Sequence, residues 1–323
     1  MNMHAPILIT VLNRHDHFRR CVASLLACID ADKTDLHIAF DYPSKDAHWE
    51  GYNKIEQYIP TIKGFKSINV IRRDVNYGAE RNVFGAFDDL FKTHDRLIVT
   101  EDDNEFSNNF LLYINKGLNL YNDRKDVFAV CGYNYPINMP HSYKANAYLW
   151  KGYSAWGCGI WKDKWNEISL NPDEINSFLI NPKNAVQLER YSSHYMPALL
   201  QIINNNHMTA DTFISMYLIE NNMRCLFPSV SKVRNHGHDG SGLHGGIIES
   251  NIYRDQLMDT DSSFDFSVES KDLQENKDVI SVLKKHFKVH KLRWLYTYYN
   301  YMKYLTIHYA KLKIGFVGSK NNR

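Results

Sequence analysis

The chain has 323 residues, 44% of them hydrophobic and 23% charged, a globular composition with ample length for a sizeable core. Its five cysteines, Cys21, Cys28, Cys131, Cys158 and Cys225, are odd in number and scattered without a Cys-x-x-Cys pair, which argues against a disulfide or zinc framework and for a reducing, cytosolic setting. No apolar run approaches the ~20 residues of a membrane span and no leader peptide is legible. The net charge of +2 is unevenly placed: residues 279–323 hold ten Lys/Arg and no acid, leaving 28 basic against 36 acidic residues in 1–278.

In chain order, Pro6 to Leu12 reads as a strand ending at Asn13-Arg14, and Phe18 to Leu26 has helical spacing of its apolar positions, with Asp16 as the expected cap. Leu36 to Phe40 is a second strand, stopping at Asp41. A helical stretch through Tyr52, Ile55 and Tyr58 precedes a third strand, Ser67 to Ile71. Asn76-Tyr77-Gly78 signals a turn, and Ala79 to Phe91 carries a helical apolar face. The fourth strand, Leu97 to Thr100, runs into three consecutive carboxylates, Glu101-Asp102-Asp103. Strands about 30 residues apart with helices between them are βαβ units, and right-handed crossovers bring their polar ends to one edge of a parallel sheet. That edge would hold Asn13-Arg14, Asp41, Arg72-Arg73 and the acidic triplet, both signs of charge, as a diphosphate with a divalent cation needs. On an extended chain, Glu101 and Asp103 would point to one side and Asp102 to the other. No Gly-x-Gly-x-x-Gly or Walker pattern follows any of these strands.

Beyond the triplet, a helix is expected over Asn109 to Tyr121 and a strand over Val127 to Cys131. Residues 152–165 interleave Trp156, Trp161 and Trp165 with glycines, a pattern suited either to a sugar platform or to core packing. Asn166 to Asn206 reads as polar and helical. Thr209-Ala210-Asp211 opens another helix, where Asp211 would suit the first turn whatever its function. A short strand, Met223 to Pro228, leads into a loop rich in Gly and His from Ser231 to Gly246, expected to need a partner for order and to act as a ligand-closed lid. Finally, Lys284 to Lys313 is basic and tyrosine-rich. Trp294, Tyr298, Tyr301, Leu305 and Leu312 form roughly one helical face, for an anionic membrane or for the acidic body.

Ile9 to Arg14 with Arg19-Arg20-Cys21, Asp41, and Val99 to Glu105 resemble the nucleotide-sugar half of the GT-A glycosyltransferases, especially the N-acetylglucosaminyltransferase I type, whose Glu-Asp-Asp replaces Asp-x-Asp. Ser154 to Trp165 and Asn235 to His244 resemble signatures of bacterial surface-polysaccharide glycosyltransferases. The resemblance covers about residues 6–246. It implies an α/β, Rossmann-like, mostly parallel sheet flanked by helices; the C-terminal helical extension lies outside the resemblance and is expected from the residues of the tail. The implied catalytic domain is 1–246, with a nucleotide-sugar half in 1–132 and an acceptor half with lid in 133–246, and 247–323 forms the extension.

The resemblance further implies an inverting, metal-dependent transfer of a sugar, N-acetylhexosamine favoured, from a UDP-sugar to an oligosaccharide or lipid-linked saccharide of capsule or lipopolysaccharide. Asp211 would be the catalytic base. Thr10, Asn13, Arg14, Asp41, Arg81, Glu101, Asp102, Trp156 and Gly157 would bind the nucleotide-sugar. Asp103 would hold Mn²⁺ or Mg²⁺, with His238 and His244 reaching it from the lid. Apart from the resemblance, the cysteines point to the cytoplasm, the basic aromatic stretch 284–313 is a candidate for peripheral membrane contact or for docking on the body, and no nucleic-acid partner is expected. The insertion Asn166 to Asn206 departs from the pattern. Two other readings fit the residues: a metal-dependent hydrolase or phosphoesterase built on His15-Asp16-His17, the triplet and His236-x-His238-Asp239, and a non-catalytic sugar-nucleotide-binding protein of the same fold.

Overall fold

A computed structural model describes residues 4–168, 171–205, 210–242 and 252–320. The chain begins with β1 (Ile7–Val11), α1 (His15–Leu26), β2 (Asp35–Phe40), α2 (Trp49–Tyr58), β3 (Ser67–Arg72), α3 (Ala79–Leu90) and β4 (Arg96–Glu101). The apolar runs of β1, β2 and β4 are buried almost throughout, as strands covered on both faces should be. β3 is only partly buried, as suits its place at the edge.

Next come β5 (Asn104–Phe106), α4 (Phe110–Leu120), β6 (Val127–Cys131), β7 (Ala147–Trp150), β8 (Cys158–Trp161) and the single turn α5 (Lys162–Trp165). Four helices follow, α6 (Pro172–Leu179), α7 (Pro182–Tyr191), α8 (Tyr195–Asn205) and α9 (Ala210–Glu220), then β9 (Arg224–Pro228) and β10 (Val233–Asn235). The chain continues through α10 (Ile252–Asp255), α11 (Lys277–His286) and the long α12 (Lys291–Lys320).

Eight strands form one sheet in the order β3-β2-β1-β4-β8-β6-β9-β7. β1 to β4 are parallel, β6 pairs parallel with β9, and β8 and β7 run against their neighbours. The sequence order reverses on either side of β1. The crevice between the ends of β1 and β4 is therefore the topological switch point, where open α/β sheets take ligands. Because β8 is antiparallel, its start, preceded by Trp156-Gly157, reaches that same edge.

Two helical layers cover the sheet. One, with α1, α2 and α4, buries Phe18, Ile55 and Phe110; the other, with α3, α6 to α9, α11 and α12, buries Phe87, Phe178, Phe213, Leu283 and Tyr301. The stretch read as merely polar and helical thus supplies much of a core, through Phe178, Leu188 and Leu199. Of the α12 face read from the sequence, Tyr298, Tyr301 and Leu305 are turned toward the body, and Trp294 lies against Tyr298 with ring centroids 4.4 Å apart. Tyr301 donates to the Leu179 carbonyl (2.8 Å) and Tyr304 to Asn176 Oδ1 (2.9 Å). That stripe is covered by protein and is not free for a membrane. The side chain of Leu312 lies outside the description.

Candidate active site

The acidic triplet does not remain extended. Glu101 ends β4, the chain turns at Asp102-Asp103, and Asn104 starts β5, which pairs antiparallel with β10. The expected alternation of side chains therefore fails, because it requires an unbroken strand. Asp102 and Asp103 instead share one partner. Arg14, from the loop after β1, donates to Asp102 through Nε (3.3 Å) and a second, shorter contact, and its Nη1 stands 2.8 Å from Asp103 Oδ2. α1 begins right after it, with Arg14 itself at the cap position; Asp16 caps nothing and pairs with His15 at 3.0 Å.

Asn235 Nδ2 donates to Asp103 Oδ1 and to Asn104 Oδ1, both at 3.0 Å, and the His236 N–H donates to the Asp103 carbonyl at 2.9 Å. Gly237 packs so tightly on the carboxylate that an added methyl would overlap Asp103 Oδ2. The stretch expected to need an outside partner is thus ordered by the body through residue 242. His236 Nε2 lies 2.8 Å from Glu105, and His17 Nε2 lies 2.8 Å from Asp239, clasping the loop to α1. His244 lies outside the described residues. His238 stacks on Tyr253 with ring centroids 4.6 Å apart and meets Trp156 edge-on, and its buried Nε2 has no hydrogen-bond partner among the described residues.

Charge is concentrated here. Burial opposes the charge on Arg14, but Asp102 and Asp103 more than offset it and raise its pKa. Burial raises Asp102 to about 6, against the pull of Arg14. Glu101 is pushed well above the usual carboxylate range by the surrounding protein, then by Asp103 and Asp211. Its side chain is nevertheless open to solvent, as on a cleft floor. Asp211, in the first turn of α9, is close enough to contribute to that shift. Enclosure raises Asp211 itself to about 6, opposed by the Ala155 N–H. The strand ends, the turn before β8 and the start of α9 therefore meet.

The remaining candidates divide. Thr10 pairs with Glu101 in the β1/β4 register. Asn13 is fixed by close approach of α2, where a methyl on Gly51 would overlap its carbonyl oxygen. The buried Asp41 carboxylate accepts from the Tyr42, Tyr77 and Gly78 N–H groups at 2.8 to 2.9 Å and from Asn76 Nδ2 at 3.2 Å. It shapes the 76–78 turn. Arg81 is exposed and lies over the Tyr77 ring at 4.0 Å, with Arg73 also on that ring at 4.7 Å. Gly157 is buried at φ +70°, hemmed by Phe106 and Phe110, a position only glycine fits.

Of the tryptophans, Trp150 and Trp161 are buried and Trp165 packs on Phe87 at 4.7 Å. Trp156 alone combines partial exposure with neighbours Tyr133 and His238 at the crevice. Asn235 and the Ala155 N–H had no assigned role. The Asn-His-Gly-His spelling marked the first; nothing in the sequence marks a backbone donor.

A divalent cation fits this site by charge. One guanidinium faces Glu101, Asp102 and Asp103 beside Asp211, and Glu101, Asp102 and Asp211 have raised pKa values that added positive charge would relieve. Among the described residues no three His, Cys, Asp or Glu form a protein-only cage.

No known family's sequence profile matches the chain, and no curated protein matches it. Several solved structures are similar in part. GalNAc-T7 with UDP, GalNAc and Mn²⁺ matches at TM-score 0.45 and 13% identity, over 72% of this chain and 44% of that one. Staphylococcus aureus TarS 1–349 matches at 0.41 and 11%, over 71% and 59%. The Pyrobaculum calidifontis mannosyltransferase PcManGT, with GDP-Man and Mn²⁺, matches at 0.36 and 10%, over 50% and 45%. The chain spans less than two thirds of the length of each.

Proposed function

We propose that this protein is an inverting, metal-dependent glycosyltransferase of GT-A type. The observation that carries the reading is the meeting, at the sheet's switch point, of Arg14 and the Glu101–Asp103 acids with Asp211 and the Asn235–Gly237 loop. The donor is read as a UDP-sugar, N-acetylhexosamine favoured. The acceptor is an oligosaccharide or lipid-linked saccharide of bacterial capsule or lipopolysaccharide. Domain 1–246, with halves 1–132 and 133–246, carries the chemistry, and 247–323 is its C-terminal extension, of which α11 and the first half of α12 pack on the domain.

Asp103 would hold Mn²⁺ or Mg²⁺, with His238 and His244 as candidates to complete the site. When bound, the cation neutralises charge developing on the departing diphosphate. Thr10, Asn13, Asp41, Arg81, Glu101, Asp102 and Gly157 are assigned to binding or shaping the nucleotide-sugar pocket, Arg14 to its phosphates and Trp156 to a sugar ring. The Asp211 carboxylate accepts the proton of the attacking acceptor hydroxyl as the new bond to the anomeric carbon forms and the bond to diphosphate breaks. A pKa of about 6 leaves it ionised at neutral pH. Attack opposite the leaving group inverts the anomeric centre. Five free, buried cysteines support a cytoplasmic setting.

The test is calorimetric titration with nucleoside diphosphates and their sugars, each with Mn²⁺ and with chelator. Metal-dependent binding of UDP and one UDP-sugar is the expected result. Binding of metal alone, with no nucleotide, would overturn it.

A further inference from the structure

We propose that the outward face of α12, with the basic residues beside it, docks the protein on an anionic phospholipid surface. The helix is apolar on two opposed sides. Tyr298, Tyr301 and Leu305 recur at intervals of three and four residues and pack on the body, with Trp294 against Tyr298 one turn earlier. Leu292, Leu295, Tyr296, Tyr299 and Met302 follow the same spacing on the other side. Leu292, Tyr296, Tyr299 and Met302 are 58 to 70% exposed. A surface helix covered on one side normally turns charge to water, so a second apolar face is an unfilled contact.

The rotation of the helix is fixed. Tyr301, Tyr304 and Tyr309 donate to Leu179, Asn176 and Ile180 of α6 and the residue after it, so the second face cannot turn inward. Of the exposed large apolar side chains among the described residues, seven lie on this helix. From Leu292 to Met302 the second face spans about 15 Å.

Charge identifies the occupant. Lys284, Lys285, Lys288, Lys291, Arg293 and Lys303 are exposed on α11, α12 and their link, and residues 279–323 contain no acid. Tyrosine, leucine and methionine beside lysine match a headgroup boundary, where rings sit at the interface and cations meet lipid phosphates. The rest of the chain carries a net −8, so an anionic surface attracts this end and repels the body. No helix among the described residues is long and apolar enough to cross a membrane, so the contact lies along the surface.

The experiment is flotation of the full chain with vesicles of phosphatidylcholine alone or with one third phosphatidylglycerol, at low and at high salt. Wild type is expected to float with anionic vesicles only, and less at high salt. Tyr296→Glu with Tyr299→Glu is expected to abolish flotation. Lys291→Glu with Arg293→Glu and Lys303→Glu is expected to weaken it more than about tenfold. Both variants alter exposed side chains and should keep the wild-type circular dichroism. Equal flotation with neutral vesicles, or none with anionic ones, would overturn the proposal. So would a dimer in sedimentation that the tyrosine variant dissociates, because a second copy would then be the occupant.

Discussion

Arg14 stands between Asp102 and Asp103, within 2.8 Å of the Asp103 carboxylate, and so occupies part of the position that a cation would take on that residue. Replacing Arg14 with Met should move two affinities in opposite directions. Mn²⁺ alone should bind more tightly, because a competing positive charge is gone. UDP should bind more weakly, because a phosphate partner is gone. Paired calorimetric titrations read both. If both affinities fall together, Arg14 is only a structural clamp. Removing one partner from a largely buried pair should also cost about 3 kcal/mol in urea unfolding.

Asp103→Ala should make UDP binding indifferent to Mn²⁺. The same change removes one of the two acceptors of Asn235 Nδ2 and frees the loop that Gly237 presses on the carboxylate. Proteolysis within 235–242 should therefore accelerate. Unchanged metal dependence would transfer the ion to other ligands.

Asp211→Asn should keep donor affinity while lowering transfer by about 10²-fold or more. A base must be deprotonated, so wild-type turnover should rise with pH through about 6 and level off above it. Stability runs the other way. The folded-state pKa lies above the ordinary 3.8, so holding this carboxylate is free below pH 4 and increasingly unfavourable as pH climbs through 6. The Asn variant should accordingly be the more stable protein at pH 7 and equal to wild type at pH 3.5. Thermal melts at the two pH values test the sign.

Gly51→Ala should lower stability by about 1 to 3 kcal/mol, since its methyl meets a backbone carbonyl that cannot rotate away. The displaced group belongs to Asn13, next to Arg14. Donor affinity should fall with stability, even though α2 carries no proposed contact to the ligand.

Trp150→Ala should cost about 3 to 5 kcal/mol, as for a large buried ring. Trp156→Ala should cost far less stability and raise the KM for a sugar substrate. A Trp156 variant that melts like the Trp150 one, with unaltered KM, would return Trp156 to the core.

These two tryptophans show what the sequence could convey. Both sit among small and aromatic residues, and only the placement of β7 in the sheet and of the loop before β8 at its edge separates them. The parallel half was legible because β1, β2 and β4 are continuous apolar runs that end in polar residues, a local signal. Asp41 was found by that rule, but its four donors come from residues 42 and 76–78 and depend on how the crossovers pack. The turn at Asp102-Asp103 was missed for a related reason. It is set by β10, about 130 residues further on, which β5 pairs with. The sequence left the α12 stripe open between a membrane and the body; Tyr298, Tyr301 and Leu305 of it pack on the body, and the second stripe emerged only once α6 fixed the rotation.

The ribbon of β5 and β10 also sets a schedule. Asp103 and Asn235 are 132 residues apart in sequence. A nascent chain that has delivered β1 to β4 already holds Arg14 and the acids, yet lacks the amide and the glycine that fix their turn. Contacts of such long sequence separation form late and slowly. The turn that carries Asp102 and Asp103 can therefore take its final form only after the strand that follows β9 has been made.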